Sequence, residues 1–259
     1  MFPVLLEFGA IKIYSYCALI ALGGAAALWL MSRRRKLMGL EREEDFWALL
    51  NLVLAGGFVG GRLLHLAEYT APFSPEFWSG LLSLRTGFSA MGAFAGAAAA
   101  CGIYCRRKKL PFLKFLDGLC LVAPLWHAFG RLGCLAAGCC YGRPAPELSW
   151  AVTFRDPRGL VAPALLGRPL HPAQLYEAAA DLALAALLWV WARPRADSGR
   201  WAPGVLAGAY IGGYCLIRFF LENFRADGAA FSSTGLTWAQ ALCVAYAAAV
   251  VYLARRRPA

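Results

Sequence analysis

Three arginines, Arg62, Arg131 and Arg218, lie inside segments of the chain that are otherwise apolar. An unpaired charge in the hydrocarbon of a membrane costs at least about 2.5 kcal/mol, so each guanidinium needs a partner. Guanidinium groups stay charged when desolvated, and their fixed N–H donors match the oxygens of a phosphate. The arginines therefore predict an anion site, most simply for a phospholipid phosphate. The alternative is that each arginine pairs with a carboxylate or with helix-end carbonyls and serves packing alone.

A second charged group follows Arg218. Glu222 and Arg225 come four and seven residues later, which places all three side chains on one face of a helix. Glu222 is expected to pair with the guanidiniums and fix their orientation. It is also a candidate base if burial raises its pKa.

Glycines and cysteines surround Arg131. Glycines at 130, 133, 138 and 142 allow the backbone to leave helical geometry and approach a ligand, so this segment is a candidate wall of the site. The thiols of Cys134, Cys139 and Cys140 follow, and His127 precedes them. These thiols have four interpretations: inert packing, a disulfide, contact with substrate, or a metal site. Their spacing fits none of the common paired-cysteine zinc patterns, so no metal is expected.

Other polar residues lie at the ends of apolar segments. His171 and Pro172 begin one such segment, as is usual at a helix start. The side chains that follow are more polar than anchoring in a membrane requires. The further candidate binding residues are Tyr16, Met91, Gly142, Gln174, Tyr176 and Glu177.

The composition explains where these residues must lie. The chain has 259 residues, of which 60% are hydrophobic and only 16% charged, and its mean hydropathy is +0.53. Soluble proteins carry roughly 25% charged residues, so the sequence indicates an integral membrane protein. Soluble enzymes, disordered regulators and disulfide-stapled secreted domains are excluded. The net charge of +11 is assigned to membrane topology, and no nucleic-acid partner is expected.

Apolar stretches of about 20 residues are long enough to cross a membrane. They predict an all-α membrane protein with seven transmembrane helices in a single polytopic domain, residues 1–259, with residues 134–172 as an irregular, proline-rich outer cap. The predicted spans are about 13–32, 47–68, 89–105, 113–133, 173–193, 204–222 and 237–254.

The basic residues predict the orientation. Arg33 to Lys36 stop the first span, and no small-residue cleavage site follows it, so we expect the chain to be retained whole. Lysine and arginine concentrate in alternate connections, such as Arg106 to Lys109 and Arg255 to Arg257, whereas Arg85 falls on the other side. The positive-inside rule then places the N-terminus outside and the C-terminus in the cytoplasm. Arg62, Arg131 and Arg218 all fall at the depth of the outer leaflet.

Taken together, the motifs resemble the prolipoprotein diacylglyceryl transferase family, and the likeness covers nearly the whole chain. It rests on the Tyr16 segment and on four longer motifs. These are Gly60-Gly61-Arg62-Leu63, Gly130-Arg131-Leu132-Gly133, His171-Pro172-Ala173-Gln174-Leu175-Tyr176-Glu177, and Tyr214 through Arg218, Glu222 and Arg225.

The resemblance implies an enzyme of the bacterial inner membrane, with its active face outside, that moves diacylglycerol from phosphatidylglycerol to the lipobox cysteine of a lipoprotein precursor. It assigns Arg131 and Arg218 to the lipid phosphate. The implied partners are phosphatidylglycerol and the signal peptide of a prolipoprotein within the membrane lipid, and no cofactor is expected. The acceptor thiol displaces glycerol phosphate and forms a thioether.

This sequence departs from the family pattern at several places. Cys134, Ala137 and Cys139 stand where the family signature has Asn, Asn and Glu, and Met91 stands where the family has a histidine. His127 holds a place usually taken by Gln. One hypothesis is that His171, His127, Glu177 or Glu222 assists deprotonation of the acceptor thiol.

Two further hypotheses keep the lipid and change the chemistry. In the first, the chain passes a lipid-derived group to a different acceptor, with one of the cysteines holding it transiently. In the second, the chain binds and moves lipid without a reaction.

Overall fold

The computed structural model describes residues 2–9, 11–71, 74–82, 87–226 and 235–255. Arg85, Arg256 and Arg257, which entered the topology argument, lie outside the described residues. The helices are α1 (Ser15–Arg33), α2 (Glu43–Tyr69), α3 (Pro75–Leu82), α4 (Ala90–Arg107), α5 (Phe112–Ala137), α6 (Ala173–Leu187), α7 (Arg193–Asp197), α8 (Val205–Leu221) and α9 (Trp238–Arg255). Short strands are β1 (Val4–Phe8), β2 (Ile11–Tyr14), β3 (Val152–Thr153) and β4 (Pro169–Leu170).

Each of the seven predicted spans coincides with a helix. Five helices in the described part of the chain are long and apolar enough to cross a membrane: α1, α2, α5, the continuous segment Ala173–Asp197, and Val205–Phe224. The helices at the remaining two predicted spans, α4 and α9, are not long and apolar enough within the described residues. α4 ends in two arginines, and the apolar part of α9, Trp238–Tyr252, is shorter.

The helices belong to two compact units. One unit comprises Met1–Arg33 and Leu116–Ala259, and the other comprises Arg34–Phe115. The first unit contains Arg131, Arg218 and Arg225, and the second contains Arg62.

The described chain is mostly helical, in agreement with the predicted all-α membrane class, and two pairs of short strands form in the first unit. β1 pairs antiparallel with β2, and within the cap β3 pairs antiparallel with β4. The cap has its own apolar core of Phe154, Val161 and Leu170, which is almost fully buried. Burial of these side chains lets the proline-rich segment hold a defined shape.

The glycine pattern suggested that α5 could break at Gly130 or Gly133. The helix instead continues to Ala137. Gly138, directly after α5, has a left-handed backbone conformation with φ of +77°. A glycine is needed at position 133 for helix packing, because a Cβ there would lie 3.0 Å from Cδ2 of Tyr16 on α1. The glycine therefore lets α1 and α5 approach closely.

Asp117 near the start of α5 stabilises a different helix. Its carboxylate accepts hydrogen bonds from the backbone N–H groups of Gly204 and Ala207, at 2.6 Å and 2.8 Å. These donors open α8, whose N-terminal N–H groups have no partner within the helix. Asp117 on α5 therefore caps α8.

Glycines bring α2 and α4 together in the second unit. A Cβ on Gly96 would collide with the carbonyl oxygen of Gly56, and one on Gly60 would collide with that of Gly92. These glycines therefore allow α2 and α4 to pack closely. On α8, a Cβ on Gly212 meets nothing within 4 Å, whereas one on Gly213 would lie 2.7 Å from Cδ1 of Leu184.

A Gly96→Ala substitution is expected to destabilise the protein by about 1–3 kcal/mol, since the added methyl group forces α2 and α4 apart. Gly102→Ala on the same helix is the matched control, because a Cβ at Gly102 meets nothing within 4 Å. The measurement is thermal unfolding in detergent. Equal melting temperatures for the two variants would contradict the close helix contact.

Candidate functional site

Charged side chains from three helices of the first unit form a buried chain of ion pairs. Nη2 of Arg131 lies 2.8 Å from Oε1 of Glu177, and Oε2 of Glu177 lies 3.9 Å from Nη1 of Arg225. Nε of Arg225 lies 3.9 Å from Oε2 of Glu222, which lies 2.5 Å from Nη1 of Arg218. We call these five residues the ion-pair chain, and arginines stand at both of its ends.

Burial differs along the ion-pair chain. The side chains of Glu177, Glu222 and Arg225 in the middle are 2%, 4% and 8% exposed, whereas those of Arg131 and Arg218 at the ends are 22% and 17% exposed. Its three guanidiniums and two carboxylates leave one positive charge. The two terminal side chains are therefore the more accessible ones, and the five residues together carry one more positive than negative charge.

The elements that carry these side chains explain the pairing. Arg131 lies late in α5, and Glu177 lies in the first turns of α6. Arg218 ends α8, and a 3₁₀ turn, Glu222–Phe224, continues from it. The pairs that Glu222 makes with Arg218 and Arg225 confirm the spacing argument. The contact of Glu177 with both Arg131 and Arg225 depends on how α5, α6 and α8 meet.

A short network of backbone hydrogen bonds holds the end of α8 in place. Gly142 forms an antiparallel bridge with Arg225, and its N–H donates to the carbonyl oxygen of His171 at 3.1 Å. The N–H of Arg143 donates to the carbonyl oxygen of Phe224 at 2.8 Å. A Cβ on Gly142 would lie 2.5 Å from the Cβ and the carbonyl oxygen of His171. Gly142 therefore allows the chain to pass close to both His171 and Phe224.

The three thiols after Arg131 converge. The Sγ atoms of Cys134, Cys139 and Cys140 all lie within 4.8 Å of one another, and none of the three forms a disulfide. The Nε2 amide of Gln174, which is 1% exposed, donates to the carbonyl oxygen of Cys139 at 2.7 Å. Hydrogen bonds from Cys134 and Cys139, together with the guanidinium of Arg225, lower the pKa of the Cys140 thiol. The thiols thus adjoin the ion-pair chain.

Aromatic side chains surround His171 at the start of α6. Its Nδ1 lies 3.4 Å from the hydroxyl of Tyr176, which accepts a hydrogen bond from the indole of Trp150 at 2.9 Å. The ring of Phe224 lies 5.4 Å from the His171 ring. The cap, α6 and the end of α8 all contribute to this group, which sequence reasoning had placed only in part.

His127 lies on α5, and Tyr16 lies on α1 and packs against α5. Nδ1 of His127 lies 3.3 Å from the hydroxyl of Tyr210, and its ring centroid lies 5.0 Å from that of Tyr214. His127 stands one turn before Arg131 on α5, and Tyr16 packs against Gly133. Both therefore lie close to Arg131 along the helix.

Arg62 and Met91, also predicted for the site, belong to the second unit. Arg62 is 3% exposed, and its guanidinium donates to the carbonyl oxygens of Gly80 and Gly87, each at 2.7 Å. This matches the alternative in which backbone carbonyls satisfy the arginine. Met91 lies in the first turn of α4 and is 76% exposed.

Asp181 is a buried residue that sequence reasoning missed. It is fully buried on α6, one turn after Glu177, and its carboxylate oxygens have no hydrogen-bond partner among the described residues. The signal available in the sequence was an acidic residue inside an apolar helix, four positions after the acidic residue Glu177. Trp150 and Tyr210 were missed because only their contacts distinguish them from ordinary membrane aromatics.

Comparison with known proteins gives a consistent result. The sequence model of a family described as prolipoprotein diacylglyceryl transferase matches residues 3–255. A phosphatidylglycerol–prolipoprotein diacylglyceryl transferase of Clostridium tetani is 36% identical over 230 residues, which is 88% of this chain and 86% of the relative. The enzyme of that name from Azospirillum brasilense is 36% identical over 99% of this chain and 96% of its own length. That of Rhodospirillum rubrum is 35% identical over 98% and 92%.

Proposed function

The chain belongs to the prolipoprotein diacylglyceryl transferase family, and from this membership we propose that it transfers diacylglyceryl from phosphatidylglycerol to the lipobox cysteine of prolipoproteins. The product is a thioether, and glycerol phosphate is released. Its relatives carry the name of that reaction over nearly the full length of the sequence.

The observation that carries the proposal is the ion-pair chain. It holds one surplus positive charge and ends in two partly exposed guanidiniums, Arg131 and Arg218. The phosphate of phosphatidylglycerol is a diester with one negative charge, so its charge balances the surplus. Arg131 and Arg218 bind the phosphate oxygens, and Arg225, Glu177 and Glu222 hold the two guanidiniums in position.

The reaction is a displacement at the glycerol carbon that bears the phosphate. The acceptor sulfur attacks this carbon, the bond to the phosphate oxygen breaks, and the electron pair leaves with glycerol phosphate. Negative charge grows on the leaving phosphate in the transition state, where fixed guanidiniums stabilise it most. The terminal arginines therefore act on the rate as well as on lipid binding.

The thiol must also lose a proton, because free cysteine has a pKa of about 8.5. Glu177 and Glu222 each form ion pairs with guanidiniums of the ion-pair chain. Their role is to position the arginines. His171 and His127 remain the protein's candidate bases, with Tyr176 and Tyr210 as their hydrogen-bonding neighbours.

The membrane arrangement is part of the proposal. All seven helices at the predicted positions cross the membrane as one polytopic domain, with the N-terminus outside and the C-terminus in the cytoplasm. The alternation of basic connections supports this orientation. It directs the site toward the outer face of the bacterial inner membrane, where exported precursors arrive.

A transient lipid on one of the cysteines is disfavoured on chemical grounds. Attack by a protein thiol on the same carbon would give a thioether, and a thiolate is a poor leaving group from a saturated carbon. A lipid carrier without a reaction explains the phosphate site but not the family membership.

The backbone bridge at Gly142 gives a prediction for activity. Gly142→Ala is expected to lower the transfer rate about tenfold, because the methyl group displaces His171 or Phe224 and with them Arg225. Gly24→Ala on α1 is the control, since a Cβ there makes only an ordinary contact, 3.7 Å from Nε1 of Trp126. The measurement is the initial rate in detergent. A full rate for Gly142→Ala would show that the bridge does not position Arg225.

The experiment that tests the function uses purified protein, labelled phosphatidylglycerol and a lipobox precursor peptide. Labelled thioether and glycerol phosphate are expected in equal amounts. A peptide with serine in place of the lipobox cysteine is the control and yields neither product. Lipid binding without product would overturn the transferase in favour of a carrier, and release of glycerol phosphate with the serine peptide would indicate another acceptor.

A further inference from the structure

The convergence of three cysteines is not required by lipid binding. Their sulfurs come from the last turn of α5 and from the segment after it, and they lie within 4.8 Å of one another. Three sulfurs this close together suit one shared ligand better than a disulfide, which would use two of them and leave the third.

The backbone around the cysteines is shaped to bring the sulfurs together. Gly138 has φ of +77°, and Cys140 has φ of +56°, a left-handed conformation that costs a non-glycine residue about 1–2 kcal/mol. The N–H groups of Gly138 and Cys139 both donate to the carbonyl oxygen of Cys134. Strain of this kind persists only where surrounding contacts determine the structure, and it concentrates at binding sites.

Contacts with α6 and the end of α8 hold this conformation. The buried amide of Gln174 donates to the carbonyl oxygen of Cys139, and the N–H of Ala226 donates to that of Tyr141 at 3.3 Å. The sulfurs are therefore presented by a segment that is fixed on both sides.

The distances match a thiophilic cation. Zinc binds cysteine sulfur at about 2.3 Å, which in a tetrahedral site separates two sulfurs by about 3.8 Å. Because the three sulfurs already lie within 4.8 Å of one another, their separations need to shorten by at most about 1 Å to bind zinc. Three protein ligands with a fourth position open is the arrangement of catalytic rather than structural zinc.

We propose that Cys134, Cys139 and Cys140 bind one Zn²⁺ ion whose fourth coordination position is open to the acceptor thiol. The three thiols release their protons on binding, which leaves one negative charge on the zinc and its ligands. Arg225 adjoins Cys140, and Nε of Arg143 donates to the carbonyl oxygen of Arg225 at 3.0 Å. The guanidinium of Arg143 offsets the charge of the metal site, and the surplus positive charge of the ion-pair chain offsets that of the lipid phosphate.

The role of the fourth position rests on the proposed function. The acceptor thiol releases its proton to solvent water as it binds zinc, and its sulfur then attacks the glycerol carbon while the electron pair of the broken carbon–oxygen bond leaves with glycerol phosphate. The resulting thioether is a neutral, weaker ligand and leaves the metal. Zinc in this role replaces a protein base for the thiol.

Metal binding is tested first, without reference to activity. Full-length protein purified with reductant in detergent is loaded with Zn²⁺ and, separately, with Co²⁺. One zinc per chain and the absorption of thiolate-bound tetrahedral cobalt are expected. Cys134→Ala, Cys139→Ala and Cys140→Ala should each lower zinc affinity at least 100-fold. Cys120→Ala, a buried cysteine on the same helix as Cys134, should bind as the unaltered protein does.

Thermal unfolding of every variant separates loss of the site from loss of the fold, and serine replaces alanine where a variant does not fold. Reduced, folded protein that retains no zinc and shows no cobalt spectrum overturns the site. If zinc binds, the transfer rate with and without zinc tests the fourth position, and equal rates overturn its role with the acceptor. Absence of transfer at any zinc level, with zinc bound, contradicts the proposed function and leaves the metal site standing.

Discussion

Replacing Arg131 with alanine is expected to reduce kcat/KM for diacylglyceryl transfer by about 10²–10³-fold. A loss of this size is usual when an enzyme loses one fixed hydrogen-bond donor that stabilises the charge developing in the transition state. Arg131 is the more exposed end of the ion-pair chain, with 22% of its side chain exposed against 17% for Arg218, and the proposed function assigns it to the lipid phosphate. The variant also leaves Glu177 with only the longer contact to Arg225, at 3.9 Å.

Arg131→Lys distinguishes charge from geometry. Lysine keeps the charge but lacks the planar pair of donors that contacts a carboxylate and a phosphate together, so a loss of about tenfold or more is expected. Arg158→Ala is the matched control, because Arg158 pairs with Asp156 in the cap but is 62% exposed. The assay is the initial rate over a range of lipid concentrations. Activity in Arg131→Ala close to that of Arg158→Ala would remove Arg131 from the phosphate site.

Glu177→Gln is expected to lower the transfer rate by tenfold or more. The amide has no charge, so the pairs with Arg131 and Arg225 are lost together and both guanidiniums gain freedom. Breaking a buried pair by removing one partner also destabilises proteins by about 3–5 kcal/mol, so the melting temperature should fall.

Asp181→Asn provides a control of the same chemistry on the same helix. Asp181 is as buried as Glu177, yet its carboxylate has no hydrogen-bond partner in the part of the chain that the structure describes. The rate is expected to stay within about twofold, because the guanidiniums of the ion-pair chain pair with Glu177 and Glu222 instead. Rates and unfolding are measured for both variants. A larger loss in Asp181→Asn than in Glu177→Gln would show that the important carboxylate had been misassigned.

Much of the fold followed from the sequence because apolar length and local spacing are local properties. A helix lies at each of the seven positions where an apolar stretch of about 20 residues predicted one. The pairing of Glu222 with Arg218 and Arg225 followed from their spacing on one helix face. Helix ends were less accurate. α5 runs to Ala137 because its glycines serve contacts with other helices, which composition does not distinguish from a break.

The candidate site was found in the sequence as separate pieces, and only the tertiary structure joined them. Composition and local spacing predicted the membrane class, the arginines within apolar segments, the cysteines and the polar start of α6. How α5, α6 and α8 meet decided that Glu177 joins Arg131 to Arg225, and that Asp117 caps a helix far from it in the chain. The convergence of the three sulfurs depends on backbone angles at Gly138 and Cys140. Such contacts depend on the rotation and crossing of helices, which are set by packing over the whole unit rather than by the spacing of residues along one segment.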